Sequence, residues 1–284
     1  MHTQFCAGIV TYNPSLDLLL RAVSSIIDQI SSLVIIDNAS KNIDGIINSL
    51  NGFSKIKFIC NRSNLGIATA LNQIGEFSKA NGYTWFLTLD QDSICPNNLL
   101  EIYTEYILKD DIAIICPYIL RRVNLNKEKE IIIDKEYEFI KVAITSGCLV
   151  RTKAWESVNG FWETLFIDRV DDDFCFALRD KGWKILQTYK VRLEHEIGKP
   201  IQHSILGRTY YTDSYPDFRY YYIARNMIIV CNYYNNLPYN MYILLLKKFL
   251  KILSGENGKI GKMKSFLHGV ADGLRIVRKG ITRA

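Results

Sequence analysis

The chain has 284 residues, of which 48% are hydrophobic, 23% charged and 12% aromatic. That is enough apolar material for a large domain with a proper core, and it excludes a disordered chain. The net charge of +6 is uneven: residues 239–284 hold ten Lys/Arg against two acids, +8, leaving −2 for the other 238, a balance that, with no recognition motif in sight, excludes nucleic acid as the expected partner.

Seven cysteines stand at 6, 60, 95, 116, 148, 175 and 231, with no Cys-x-x-Cys pair. They read as reduced thiols of a cytosolic protein, not as a disulfide frame or a zinc site. The first β-like run starts by Phe5 with no basic leader, so no signal peptide is expected. No apolar stretch approaches the ~18 residues needed to span a bilayer.

In chain order, residues 5–12 predict a strand, and 14–29 a helix with apolar spacing at Leu16, Leu19, Leu20, Val23, Ile26 and Ile27. A strand at 33–37, a short helix around 43–50 and a strand at 55–60 follow. Asn64 is placed to cap a helix through Ala68, Leu71, Ile74 and Phe77, which stops near Asn81-Gly82. Then come a strand at 83–89, a helix from 96 to about 108 and a strand at 112–118. This alternation predicts an α/β fold of βαβ units around a mostly parallel, Rossmann-like sheet flanked by helices.

Ligands of such sheets bind at the carboxyl ends of the strands. Polar residues cluster there: Thr11-Tyr12-Asn13, Asp37-Asn38-Ala39-Ser40, Asn61 to Gly66, and Asp90-Gln91-Asp92. The last is the most informative. It closes an apolar run, and two carboxylates one residue apart can converge on a divalent cation such as Mg²⁺ or Mn²⁺. A polar turn explains the same string less specifically.

Residues 121–200 are less regular. Residues 121–130 read as a charged loop or hairpin, and Thr145-Ser146-Gly147-Cys148 as a small-residue turn entering a strand. A second acidic cluster runs Asp168-Arg169-Val170-Asp171-Asp172-Asp173, opening a helix from 170 to 181 that ends at Gly182. Asp168 is placed to cap it, and acids in a first turn suit the helix dipole. Helical geometry puts Val170, Phe174, Ala177 and Leu178 on a buried stripe, Asp171 and Asp173 on its edges, and Asp172 toward solvent. Asp171 and Asp173 are therefore the candidates for a general base. His195, in Leu193-Glu194-His195-Glu196-Ile197-Gly198, is either structural or a further metal ligand.

These elements in this order resemble the family 2 glycosyltransferases with the GT-A fold. The likeness covers about residues 5–230 and rests on the ordered set: Thr11-Tyr12-Asn13-Pro14, Asp37-Asn38-Ala39-Ser40, Asn64 through Asn72, Asp90-Gln91-Asp92, Thr145-Ser146-Gly147 and the acidic run before Gly182. Phe166 to Asp171 and Leu193 to Gly198 look most like the bacterial rhamnosyltransferase branch, whose donor is dTDP-L-rhamnose and whose products are cell-surface polysaccharides. The resemblance implies roles. Asp37 would accept the imide N–H of thymine or uracil, with Thr11 beside base and ribose, Asn64 also in the nucleotide-sugar site, and Asp90 on ribose or metal. Asp92, with His195, would hold the cation. Asp171 matches the second residue of the family's Glu-Asp pair, the base; Val170 replaces the glutamate, which keeps Asp173 open. Arg225, in Arg225-Asn226, would meet a phosphate or else stack on Tyr221 or Tyr222. The implied acceptor is a saccharide or a polyisoprenyl-pyrophosphate-linked sugar. Another UDP- or dTDP-hexosyltransferase, or a non-catalytic nucleotide-sugar-binding subunit, are the alternatives.

Residues 1–236 are thus expected to form the catalytic domain (1–120 nucleotide-binding, 121–236 acceptor-binding), with 237–284 a basic helical extension. In 240–253, Lys247, Lys248 and Lys251 share one helical face and Met241, Leu245, Phe249, Ile252 and Leu253 the other. Such a helix either lies at a membrane surface, with 240–283 as the contact, or packs on protein.

Overall fold

The structure is a computed structural model and describes residues 5–121, 135–195, 201–205, 208–212, 215–234, 241–255 and 257–283, with side chains except at 120–121, 194–195, 201–205 and 208–212. The charged stretch expected at 121–130 lies outside the described residues but for Arg121, whose backbone ends a strand. The chain divides into two compact units. Unit 1 spans Met1–Thr164 and Asp171–His195; unit 2 spans Leu165–Val170 and Glu196–Ala284.

Unit 1 carries β1 (Cys6–Thr11), α1 (Leu16–Ile26), β2 (Ser32–Asp37), α2 (Ile43–Leu50), β3 (Ile56–Cys60), α3 (Ile67–Ala80), β4 (Trp85–Asp90), α4 (Leu99–Thr104), β5 (Ile112–Arg121), β6 (Tyr137–Ile140), β7 (Cys148–Arg151), α5 (Thr152–Ser157), all of α6 (Val170–Asp180) but its first residue, and β8 (Lys184–His195). The eight strands form one sheet in the order β3-β2-β1-β4-β7-β5-β8-β6. Six strands run one way; β7, between β4 and β5, and β6, at the edge, run the other.

β1, β2 and β4 are buried along nearly their whole length, as strands covered by helices on both faces must be. Ile9 of β1, Leu33 and Ile35 of β2 and Leu87 and Leu89 of β4 pack with Leu19, Val23 and Ile26 of α1 and Ile46 and Leu50 of α2. At Gly8 a helix comes very close: a Cβ there would stand 2.4 Å from Ile74 Cγ1 of α3. The chain moves from β1 outward through β2 to β3, then returns to place β4 on the other side of β1. That reversal opens a crevice at the carboxyl ends of β1 and β4.

Two local expectations change. The helix expected over 96–108 is α4, six residues long, because the N–H groups of Glu105 and Tyr106 turn back three residues, to Ile102 and Tyr103, and tighten the chain into turns. Asn64 does not cap α3; Gly66, at φ 86°, stands at the N-cap position, and Asn64 Oδ1 instead takes the Gly66 N–H at 2.9 Å. All seven cysteines are free, and burial pushes the thiols of Cys6 and Cys95 up to about 12, which keeps them protonated.

Unit 2 holds the two-stranded antiparallel β9 (Ile201–Ile205) and β10 (Arg208–Thr212), then α7 (Asp217–Tyr233), α8 (Met241–Gly255) and α9 (Lys259–Arg278). α7 and α9 approach closely because Gly269 has no side chain; a Cβ there would lie 2.2 Å from the Tyr221 carbonyl oxygen. Tyr220, Ala224 and Ile228 of α7, Leu245 and Ile252 of α8 and Phe266 of α9 make its core. Met241, Leu245, Phe249 and Ile252 therefore spend their apolar face on unit 2 itself. Among the described residues no helix is long and apolar enough to cross a membrane.

Candidate active site

The carboxyl ends of β1, β2 and β4 lie side by side: Thr11 is in register with Asp37, and Val10 with Asp90. Asp37 is almost wholly buried, and each of its oxygens accepts one hydrogen bond. Its Oδ1 accepts the Thr11 hydroxyl at 2.9 Å and its Oδ2 the Ser40 N–H at 2.9 Å. Ala39, at φ 66°, makes the tight turn that brings Ser40 back to it. Each carboxylate oxygen has a second lone pair, so Asp37 retains the capacity to accept an N–H from a ligand.

Asn38 is the hub that sequence reasoning passes over. Its Nδ2 donates to Asn64 Oδ1 at 3.0 Å and to the Gly66 carbonyl at 3.1 Å, while its Oδ1 accepts the Leu65 N–H at 2.9 Å and Asn61 Nδ2 at 3.2 Å. Asn64 thus belongs to the rim as a brace of the loop after β3. The sequence signal for Asn38 was its place directly after the strand-end Asp37.

Asp90 ends β4, partly buried, and Asp92 is exposed two residues on. Burial, and secondarily the Asp92 charge, push the Asp90 carboxyl up to about 6. This donor set fits a hard divalent cation: two carboxylate ligands whose mutual repulsion a 2+ charge would relieve, with positions left for phosphate oxygens. Among the described residues no group of three or more His, Cys, Asp or Glu is arranged to hold a metal ion. His195 ends β8 by its backbone, and its side chain lies outside the described residues.

The turn Thr145-Ser146-Gly147 joins the two acidic clusters. The Ser146 hydroxyl accepts the Asp90 N–H at 3.3 Å and shares a hydrogen bond with the Ser93 hydroxyl. The Thr145 hydroxyl donates to Asp171 Oδ1 at 2.9 Å. Gly147, at φ 77°, donates its N–H to Thr88 of β4 at 2.8 Å, and a Cβ on it would meet Leu193 and Pro117 at 3.0 Å. Asp171 stands at the start of α6. Burial raises its carboxyl to about 6; the Thr145 bond pulls the other way, and the charges of Asp172 and then Asp90 add to the rise. The two clusters are therefore close enough to feel each other's charge.

The rest of the acidic run separates as follows. Val170, Phe174, Ala177 and Leu178 are buried, as the helical stripe requires. Asp173 is fully buried, and Asp172 is partly buried, not turned out to solvent as expected; the stripe is wider than the apolar residues alone define. Asp168, expected as a cap, has φ 63° and pairs with Arg219 within unit 2, Nη2 to Oδ1 at 3.1 Å. Arg225 is nearly buried in unit 2. Its Nη2 donates to the Leu165 carbonyl at 3.2 Å, its Nε to Asn226 at 2.9 Å, and its guanidinium lies 4.6 Å from the Tyr222 ring centre. These are packing contacts, and they lend no support to the phosphate role expected for it.

The family model for Glycosyl transferase family 2 matches residues 6–153, just over half of the chain. The chain belongs to glycosyltransferase family 2. This family 2 enzyme is 27% identical over 298 aligned positions to a dTDP-rhamnosyl transferase, RfbF, of Shigella flexneri, covering 99% of this chain and 98% of that one. Its fold is GT-A. Solved structures with the same fold include GalNAc-T7 with UDP, GalNAc and Mn²⁺ (TM-score 0.58, 14% identity), in which this chain is covered to 99% and spans 58% of the other. Another is S. aureus TarS 1–349 in complex with UDP-GlcNAc (TM-score 0.58, 11% identity), with 96% of this chain and 81% of that one covered.

Proposed function

We propose that this glycosyltransferase transfers L-rhamnose from dTDP-L-rhamnose, with inversion and with a bound divalent cation, to a hydroxyl of a saccharide or polyisoprenyl-pyrophosphate-linked acceptor. We place the reaction in the cytoplasm, in the building of cell-surface polysaccharide. The observation that carries the chemistry is the Thr145–Ser146 turn, which ties a raised, half-buried carboxyl at Asp171 to the Asp90–Asp92 strand end. The sugar is supported by the rhamnosyl transferase relative alone.

In this reading Thr11 and Asp37 receive the base, Asp37 through its remaining lone pairs. Asp90 and Asp92 would hold the cation, Mg²⁺ or Mn²⁺, which when bound neutralises charge on the leaving diphosphate. Asp171 takes the proton of the acceptor hydroxyl as its oxygen bonds the anomeric carbon. The C–O bond to the diphosphate breaks on the opposite face, and its electron pair leaves with the nucleoside diphosphate. With a pKa of about 6 Asp171 is ionised at neutral pH yet more basic than an exposed carboxylate. Asp173 is the second candidate for this step.

The test is a thermal-shift panel of dTDP-rhamnose and UDP- and GDP-hexoses, each with and without Mn²⁺, followed by turnover of the best donor. The reading expects the largest Mn²⁺-dependent shift from dTDP-rhamnose. A larger shift from a UDP-hexose overturns the sugar and leaves the transfer. Binding without any donor turnover overturns the transfer and leaves a nucleotide-sugar-binding subunit.

A further inference from the structure

α8 is apolar on two sides, and only one is spent in packing. Met241, Leu245, Phe249 and Ile252 turn into the core of unit 2, and Lys248 follows them, its Nζ 5.6 Å from the centre of the Tyr220 ring. On the outward side Tyr242 (68% exposed), Ile243, Leu246 (57%), Leu250 (52%) and Leu253 stand in water. At 100° per residue these five fall within an arc of about 100° and so form one continuous stripe. Lys247 and Lys251, both exposed, border it on one side. A contiguous run of large apolar side chains on a helix surface marks a contact site.

We propose that this outward stripe of α8 is a lipid-contact surface that seats the protein on an anionic bilayer. Charge selects the occupant. Residues 239–284 carry +8, so a second copy set against the stripe would bring like charges together, whereas an anionic headgroup layer complements them. Length selects the mode. The 15 residues of α8 rise only about 22 Å, short of the ~30 Å hydrocarbon core, so the helix lies in the interface instead of crossing. The inference needs neither donor nor metal, so it stands or falls separately from the glycosyl-transfer reading.

The experiment is flotation of the full chain with vesicles of phosphatidylcholine alone and of phosphatidylcholine containing roughly one-third phosphatidylglycerol. The protein should float with the anionic vesicles and scarcely with the neutral ones. Lys247→Gln with Lys251→Gln should weaken anionic binding about 30-fold, since each cation near the surface contributes about fivefold. Leu246→Ser with Leu250→Ser should abolish flotation with helical circular dichroism unchanged; should that variant misfold, the lysine pair carries the test. Absence of flotation by the unaltered chain, or undiminished binding by the lysine variant, overturns the proposal. So does a dimer in sedimentation that the leucine variant breaks, which would give the stripe to a second copy.

Discussion

Replacing Asp171 by asparagine should remove glycosyl transfer and make the protein more stable at neutral pH. The folded-state carboxyl sits at about 6, against 3.8 for a free one, chiefly because burial disfavours its charged form. Between those two values the folded chain holds a proton that the unfolded chain has released. Stability therefore falls as pH rises through that window, and above pH 6 the whole penalty stands. At 1.36 kcal/mol per tenfold in proton affinity the gap amounts to about 3 kcal/mol, an upper figure because the residue keeps some exposed surface. Asparagine has the same shape, carries no charge, and its Oδ1 can still accept the Thr145 hydroxyl. The assay is the urea midpoint at two pH values. At pH 7.5 the variant should gain up to about 3 kcal/mol, and at pH 4 well under about 1 kcal/mol. Its turnover should fall by about 10²–10⁴, the usual worth of a general base, with donor binding nearly intact. A variant no more stable than the parent at pH 7.5, or equally stabilised at pH 4, would refute the buried-carboxylate argument. A variant that keeps turnover while Asp173→Asn loses it would move the base to Asp173.

Other outcomes follow from the same geometry. Thr145→Val removes the bond that lowers the Asp171 pKa, so the acid limb of kcat/KM against pH should move up by about one pH unit; an unmoved limb would detach Thr145 from the base. Asp92→Asn should abolish Mn²⁺-dependent nucleotide binding in calorimetry, and full activity of the parent in excess chelator would remove the metal role altogether. Gly8→Ala forces a methyl group to 2.4 Å from Ile74 and should cost roughly 1–3 kcal/mol in urea unfolding; a neutral result would mean that α3 can slide off β1 freely.

What the chain's local chemistry determined by itself was the alternation of strands and helices and the placing of polar residues at strand ends. Apolar periodicity is written in neighbours a few residues apart, so β1 to β4 and the buried stripe of α6 are legible without a fold. So were Asp37 and Asp90 as candidates, since a carboxylate closing an apolar run has few structural reasons to be there, with Thr11 as the polar end of β1 and Asp171 at the edge of the α6 stripe. Only the tertiary structure decided what joins them. Asn38 reaches Asn64 across 26 residues, Ser146 reaches the Asp90 N–H across 56, and Thr145 reaches Asp171 across 26. The first depends on β2 and β3 lying side by side, and the other two on β7 entering the sheet antiparallel beside β4, a strand-order choice that no local pattern encodes. The same holds for α8. Its sequence announced an amphipathic helix, but a helix with apolar residues most of the way round has two candidate inner faces. Packing against α7 and α9 chose the one with Leu245 and Ile252, and left Leu246 and Leu250 in the water.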